Sequence, residues 1–205
     1  MFKNKNIRNR SNCHQRRLVY RCFMKYMFAS DIHGSAEYAD KVVNIFRESG
    51  ARKLILCGDL LYHGPRNDLP DRYDTKTVYA LLNELKDDII AVRGNCDSEV
   101  DQMVLEFPMM DTFAKLRLND IPFFVTHGHI YDPTHLPENL EKGSAFVFGH
   151  IHLPVAEKQH GIYVLNPGST SIPKGGNPGS YAMLDERTFT IYGFAGNVIR
   201  QLTMQ

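Results

Sequence analysis

Short apolar runs alternate with amphipathic segments in the first half of the chain. Two segments, 36–50 and 75–87, place apolar side chains at helical spacing, and Gly50 is a stop signal for the first. The runs before, between and after them are buried-strand patterns that lead into polar residues: KYMFAS (25–30), KLILCGD (53–59) and IIAVRGN (89–95). This β-α-β-α-β order predicts parallel pairing and an α/β fold.

The second half changes character after a short predicted helix (98–107) that ends before Pro108. The pair Asn119-Asp120 lies between two alternating runs, which predicts a hairpin. Further strand patterns follow at 144–150, 154–158, 161–166, 180–186, 188–194 and 197–203. The Pro/Gly-rich stretch 166–180 is predicted to be a loop. We therefore expect an α/β sheet packed on a more antiparallel sheet, with helices outside.

The length and composition are those of one globular domain. With 205 residues, 43% of them hydrophobic, the chain can bury a sizeable core. No apolar run is long enough to cross a bilayer. Residues 1–23 hold seven of the 24 basic side chains and no acidic one. We interpret this segment as a basic disordered tail or as sequence upstream of the native start, with a basic arm or a transit-like segment as alternatives, and residues 24–205 as a single domain.

Charge and cysteine content narrow the functional classes. Residues 24–205 carry 17 basic and 23 acidic side chains, a formal charge of −6, which argues against a broad nucleic-acid-binding face. The four cysteines form no Cys-x-x-Cys pair, so zinc-finger interpretations fail. Reduced thiols predict a cytoplasmic protein.

Chemically active side chains stand where the predicted strands end, which is where open α/β sheets present their catalytic groups. Asp31/His33 and His150/His152 are i, i+2 pairs, which point the same way from an extended backbone, and Gly149 allows a close approach of the main chain. Mixed oxygen and nitrogen ligands suit Mn²⁺, Fe²⁺ or Zn²⁺ and here exceed what one ion needs. A two-metal centre that shares one carboxylate is predicted. The candidates are Asp31, His33, Asp59, Asn95, Cys96, Asp97, His127, His129, His150 and His152.

The order of these blocks resembles the calcineurin-like metallophosphoesterase superfamily, and the stretches HGPRN, RGNCDSEVDQM and NPGSTSIPKGGNP resemble its small bacterial phosphodiesterases. The resemblance covers about Met24 to the C-terminus. It implies a four-layer α/β/β/α sandwich with two mixed sheets. It also implies two divalent ions, Mn²⁺ as the first choice and Zn²⁺, Fe²⁺ or Ni²⁺ as alternatives. One ion would be held by Asp31, His33 and His152, the other by Asn95, His127 and His150, with Asp59 bridging.

The implied activity is hydrolysis of a small phosphodiester by a metal-activated hydroxide. Cys96 departs from the family pattern, because many members have a proton-donating His in that slot and a thiol is a poorer acid. His129 is the substitute donor or a phosphate contact. Arg66 is assigned with equal weight to a phosphate oxygen or to a loop salt bridge. Asp97 is expected to form a turn or to support a ligand.

Three other functions remain open at this point. The first two are a phosphomonoesterase and a nuclease of the same superfamily. The absence of His at position 96 argues against the monoesterase, and the small basic surface argues against the nuclease. The third is a non-catalytic module like the retromer scaffold subunit, whose ligand set is incomplete, whereas all seven positions are filled here. A homo-oligomer is also left open.

Overall fold

The computed structural model describes residues 23–205. Residues 1–22, nearly all of the predicted basic tail, lie outside the described residues. The α-helices in the described part are α1 (Ala36–Ser49), α2 (Thr75–Asn83) and α3 (Glu99–Val104), and a short 3-10 helix spans Lys86–Asp88. The strands are β1 (Tyr26–Ala29), β2 (Lys53–Leu56), β3 (Ile89–Ala91), β4 (Phe113–Leu118), β5 (Ile121–Thr126), β6 (Ala145–Val147), β7 (Pro154–Gln159), β8 (Ile162–Pro167), β9 (Ser180–Asp185), β10 (Thr188–Gly193) and β11 (Val198–Thr203). Each predicted element is present, most of them with shorter bounds, whereas β7 extends one residue further and β8 is shifted by one residue.

Two mixed sheets form the centre of the molecule, as predicted. The first has the order β11-β10-β9-β1-β2-β3 and the second the order β4-β5-β6-β8-β7. Strands β1, β2 and β3 are parallel to one another, and so are β5, β6 and β8. The remaining pairs are antiparallel, including the predicted β4–β5 hairpin. Its turn residues Asn119 and Asp120 have φ of 47° and 68°, the conformation that two-residue hairpin turns require.

Alternation along β1 divides the core into two layers. Tyr26 and Phe28 belong to the apolar cluster between the sheets, whereas Met27 and Ala29 belong to the cluster beneath the helices. This is the period-two pattern of a strand buried on both faces. Helix α1 begins at the N-cap Ser35 and ends at Gly50, whose φ of 69° is typical of a C-terminal cap. The parallel strands are thereby held between helices and a second sheet.

A loop covers the outer face of the second sheet, where the predicted architecture places helices. Phe124 and Phe146 of that face pack under Tyr131, Leu136 and Leu140, and residues 130–142 form no helix. Pro133 and Pro137 interrupt this segment and prevent continuous helical hydrogen bonding. The outermost layer on this side is therefore irregular. In the described residues, no helix is both long and apolar enough to cross a membrane.

Candidate metal centre

The carboxyl ends of the parallel strands of both sheets meet at one edge of the molecule. The amide of Asp31, after β1, donates to the carbonyl of Gly58, after β2, at 3.1 Å. The amide of Gly149, after β6, donates to the carbonyl of His127, after β5, at 2.7 Å. The His150 amide then joins the two sheets by donating to Asp31 Oδ2 at 3.1 Å. The polar strand ends found in the sequence thus form one site.

Two glycines make this convergence sterically possible. A Cβ atom at Gly149 would lie 2.0 Å from Ser30 Oγ, and one at Gly94 would lie 2.1 Å from Asp59 Oδ1. Both distances are far inside van der Waals contact, so only glycine fits at these positions. The close approach predicted for Gly149 is confirmed.

The expectation that the two i, i+2 pairs lie on extended backbone is wrong. Asp31 and His33 have φ of 55° and 48°, and His150 and His152 have φ of 66° and 60°. These four residues are in the left-handed region, because the chain turns sharply where each strand ends and no ladder partner keeps it extended. Their side chains therefore reach the site from tight turns.

Asp31, His33 and His152 form the first cluster of potential ligands. Their donor atoms lie within 4.8 Å of one another. Asp31 Oδ1 is 3.2 Å from His152 Nε2 and 3.7 Å from His33 Nε2, and the two Nε2 atoms are 3.4 Å apart. Asp31 is fully buried, and its Oδ1 accepts no hydrogen bond of acceptable geometry. A buried carboxylate oxygen without a donor is costly unless a cation completes its surroundings.

Hydrogen bonds to backbone carbonyls fix three imidazole rings. The Nδ1 atoms of His33, His127 and His152 lie 2.8, 2.7 and 2.6 Å from the carbonyl oxygens of Tyr62, Cys57 and Ile172. Because a carbonyl only accepts, each Nδ1 carries the hydrogen and each Nε2 faces the site. This arrangement is typical of histidines that bind a metal through Nε2.

The second cluster surrounds Asp59 and His127. Asp59 Oδ2 lies 3.4 Å from His127 Nε2 and 3.7 Å from His33 Nε2, so it faces both clusters. The other oxygen, Oδ1, accepts from the Cys96 amide at 2.8 Å. Asn95 Oδ1 is 3.1 Å from His127 Nε2, and the rings of His127 and His150 are 5.1 Å apart. Asp59 thus has one oxygen held by the protein and one directed between the clusters.

The charges of the two clusters are interdependent. Burial opposes ionisation of Asp31 and of Asp59, yet contacts with His152 and His127 respectively hold the pKa of each carboxyl below its usual range. Burial likewise opposes protonation of His127, but Asp59 and Asp31 raise its pKa to about 9. Burial lowers the pKa of His33. Carboxylates that stay ionised beside imidazoles are suitable ligands for a divalent cation.

Asp97 organises the main chain behind the second cluster, as expected of a residue that supports ligands. Its carboxylate accepts from the amides of Asp59, Leu60 and Gly94 at 2.8, 2.8 and 2.7 Å. Burial nevertheless raises its pKa to about 6. The three bonds fix the turns that present Asp59 and Asn95.

Sequence reasoning missed the part played by the loop after β8. The hydroxyls of Ser169, Thr170 and Ser171 lie 2.9, 3.3 and 3.2 Å from the carbonyl oxygen of Asp31. Buried Asn166 donates from Nδ2 to the carbonyl of Gly149 at 2.8 Å. A cluster of small hydroxyl residues directly after a buried strand was the available signal, but it also occurs in ordinary loops. The predicted loop therefore supports the site as well as connecting strands.

A cleft of about 550 Å³ opens over both clusters. Its lining includes His33, Asp59, Arg66, Asn95, Cys96, His150, Ile151, His152 and Lys174. A larger cavity of about 700 Å³ lies between the outer face of β4–β5 and the 131–144 segment. Its lining holds none of the seven predicted ligands, so the smaller cleft is the one connected with the polar clusters.

Comparison with known proteins identifies the family to which this chain belongs. Residues 24–188 match the calcineurin-like phosphoesterase superfamily domain. The chain belongs to this superfamily. Phosphodiesterase YfcE from Escherichia coli K12 is 51% identical over 168 residues, which make up 82% of this chain and 91% of that protein. Phosphodiesterase MJ0936 from Methanocaldococcus jannaschii is 27% identical over 71% of this chain and 83% of its own length.

Two solved structures agree with the fold. The structure of the E. coli phosphoesterase YfcE has a TM-score of 0.87 and 48% identity, and the match covers 89% of this chain and all of that one. The vacuolar sorting protein Vps29 from Cryptosporidium parvum has a TM-score of 0.61 at 15% identity, covering 88% and 98%. The similarity to Vps29 concerns the fold alone.

The residues present fit the divalent ions that the superfamily implies. The unpartnered oxygen of Asp31, the fixed Nε2 atoms and the position of Asp59 Oδ2 form buried His/Asp clusters of the required chemistry. Asn95 is exposed and His150 half-buried, and both lie beside His127. His129 is more peripheral, with its ring 5.4 Å from that of His127 and exposed to solvent.

Proposed function

We propose that this protein is a metal-dependent phosphodiesterase that hydrolyses a small phosphodiester. One observation supports it most directly: Asp31 and Asp59 each direct one carboxylate oxygen towards the Nε2 atom of a fixed histidine. Asp59 and the histidines His33 and His152 line an open cleft. The similarity to YfcE supports the diester as substrate class.

Our proposal includes the assignment of the ligands. Asp31, His33 and His152 would hold one ion, and Asn95, His127 and His150 the other. Asp59 would lie between them, because its Oδ2 is close to His33 and His127. We propose Mn²⁺ as the metal, since the set combines carboxylate and amide oxygens with imidazoles and contains no thiolate among the seven.

When bound, two divalent ions would neutralise the charge of the phosphate and would lower the pKa of water, so that a nucleophile is available at neutral pH. Side chains of the protein would bind the substrate and donate the proton to the leaving group. Arg66, exposed on the lining of the cleft, is proposed to contact a non-bridging oxygen of the substrate. His129 and Cys96 are the proposed proton donors. Partial desolvation and the neighbouring His127 lower the pKa of His129, which leaves less of its imidazole protonated at neutral pH. Burial together with the charge of Asp59 raises the pKa of Cys96 to about 12, which makes its thiol a weak acid. Neither group is an efficient proton donor at neutral pH, which favours diesters with good leaving groups.

We also propose that the protein works in the cytoplasm, since Cys57 and Cys96 are both free thiols. Cys57 is fully buried and belongs to the core between the sheets. Cys96 lines the cleft and is accessible to oxidants. A reducing compartment would preserve it.

Hydrolysis of matched chromogenic esters tests the proposal. Protein reconstituted with Mn²⁺ is expected to cleave bis(p-nitrophenyl) phosphate faster than p-nitrophenyl phosphate. Asn95→Ala and His127→Ala should lower kcat by at least about 100-fold, because a bound ion would be lost or misplaced. His160→Asn, a change at an exposed turn between β7 and β8, is the control and should retain full activity. A protein that binds Mn²⁺ but cleaves neither ester would instead be a binding module, and one that prefers the monoester would be a phosphomonoesterase.

A further inference from the structure

Lys174 lines the cleft, although nothing in the proposed mechanism uses it. It belongs to the loop after β8, and two hydrogen bonds connect this loop with a candidate ligand. His152 Nδ1 donates to the Ile172 carbonyl at 2.6 Å, and the Lys174 amide donates to the His152 carbonyl at 3.1 Å. The main chain of Lys174 is therefore held in a fixed position relative to the first cluster.

The turn that follows Lys174 is well defined. The amide nitrogen and Nδ2 of Asn177 both donate to the Lys174 carbonyl, at 3.2 and 2.8 Å. Gly175 and Gly176 have φ of 63° and 72°, and a Cβ at Gly175 would lie 2.9 Å from Leu153 Cδ2. Because these bonds and contacts shape the turn, the exposed Lys174 side chain extends from a built support at the rim of the cleft.

Among the carboxylates of residues 23–205, none forms an ion pair with Lys174. Other lysines do have such partners: Lys41 pairs with Glu37, and Lys86 with Glu106. Lys174 therefore keeps its positive charge available to a ligand in the cleft. Arg66, on a different loop of the same cleft, also lacks an ion pair with a described carboxylate, so the cleft carries two uncompensated cations.

A charge balance of the cleft indicates what kind of ligand these two cationic side chains bind. Under the proposed function, two divalent ions bring four positive charges. Asp31, Asp59, a singly charged diester and a deprotonated water cancel them. A simple diester is thus neutralised without Lys174, and the cleft retains excess positive charge. Such a potential is complementary to a substrate with more than one negative group.

The size of the cleft agrees with a larger substrate. At about 550 Å³ it lies within the ~300–1,000 Å³ typical of small-molecule sites and has room for groups well beyond one phosphate. Ile151 and Pro65 add apolar surface to the lining. We propose that Lys174 forms a second anion subsite, and that the substrate is a phosphodiester one of whose alcohols carries a further phosphate. This inference rests on the proposed function.

Two substrates that differ only in the second anion test the inference. The p-nitrophenyl ester of thymidine 5′-phosphate and its 3′-phosphorylated counterpart release the same leaving group from the same diester. With Mn²⁺ at low salt, we expect KM to be about 10-fold lower for the 3′-phosphorylated ester at similar kcat, the scale of one charge-assisted contact. Lys174→Gln should abolish this preference. The preference should also shrink at high salt, because exposed charges are screened.

Two variants and one binding measurement serve as controls. Lys76→Gln, on the exposed side of α2, should keep the preference, and Arg66→Gln should raise KM for both esters alike if Arg66 contacts the reacting phosphate. Calorimetric titration with thymidine 3′,5′-bisphosphate and thymidine 5′-phosphate measures the same difference without turnover. Equal KM and equal affinity in the wild type, or an equal effect of Lys174→Gln on both ligands, would overturn the inference. Failure to cleave either ester would refute the proposed function, while the calorimetry would still decide the role of Lys174.

Discussion

Five candidate ligands hold a backbone conformation that residues with a side chain rarely adopt. The φ angles lie between 48° and 66° for Asp31, His33, Asp59, His150 and His152. Each such residue costs of order 1–3 kcal/mol and persists only where its surroundings determine it. Here the Asp31 carbonyl is held by hydroxyls, and the imidazoles of His33 and His152 are held by backbone carbonyls. The strain is the consequence of aiming side chains from sharp turns at one point.

Cys96 occupies the slot where many superfamily members have His, and it makes proton donation weak. Burial and the charge of Asp59 raise the pKa of its thiol to about 12. We expect Cys96→His to increase kcat by roughly 100-fold for diesters with basic leaving alcohols. Diesters that release p-nitrophenol should change little, because this leaving group needs no proton. The measurement is log kcat against leaving-group pKa for a series of aryl esters, whose slope should flatten.

The control for this prediction is Cys96→Ser, which replaces one weak acid by another and should keep the wild-type slope. An unchanged slope in Cys96→His would mean that a different group protonates the leaving alcohol. His129 would then be the residue to replace, since its ring lies 5.4 Å from that of His127.

At the level of loops, Asn166 connects the segments that follow β6 and β8. It is fully buried, its Nδ2 donates to the Gly149 carbonyl, and its Oδ1 accepts from the Gly168 amide at 2.9 Å. Asn166→Ala leaves the Gly168 amide buried without a partner, which costs about 1–3 kcal/mol. It also removes one of the two hydrogen bonds to the Gly149 carbonyl, which still accepts from the Ile151 amide at 2.7 Å. We expect a loss of at least about 2 kcal/mol in the free energy of unfolding, measured by urea denaturation. Activity should fall as well, because Gly149 precedes a candidate ligand.

Asn44→Ala is the matched control, since Asn44 on α1 makes an exposed hydrogen bond to Asp40. It should change the free energy of unfolding by less than about 0.5 kcal/mol. Equal effects of the two substitutions would show that the link between the loops contributes nothing to stability.

The sequence identified the strand ends but not the contacts between distant loops. Asp31 and Asp59 could be predicted to lie together because parallel strands of one sheet end at the same edge, and the same rule places His127 near His150 in the second sheet. The bond from the Ser169 hydroxyl to the Asp31 carbonyl spans 138 residues and has no local signature. The left-handed turns at His150 and His152 were missed for a related reason: tertiary contacts impose them against the preference of the residue. The loop layer over β5 and β6 could have been expected from Pro133 and Pro137.

On the scale of the whole molecule, the site joins the two sheets. Asp31 and Asp59 follow strands of the first sheet, whereas His127 and His150 follow strands of the second. Apart from the apolar cluster between the sheets, hydrogen bonds such as the one from the His150 amide to Asp31 connect the two halves. A ligand held by both sets of residues would therefore stabilise the folded state as a whole. Removal of the metal should therefore lower the stability of the whole fold as well as the activity.

The stabilisation by Mn²⁺ is expected to increase with pH. A divalent ion requires neutral imidazoles, so it competes with protons. The pKa of His127 is raised to about 9, above the ordinary ~6.5. In metal-depleted protein, protonated His127 thus stabilises the fold fully below about pH 6.5, and this contribution is lost as pH rises through about 9. Mn²⁺ at 100 times its Kd adds about 2.7 kcal/mol, or roughly 5–10 °C in Tm for a domain of this size.

At one fixed Mn²⁺ concentration, the increase in Tm over an EDTA-treated sample should be larger at pH 8.5 than at pH 6.5. His127→Asn should reduce this difference; an increase in Tm independent of pH in the wild type would mean that His127 does not bind the ion.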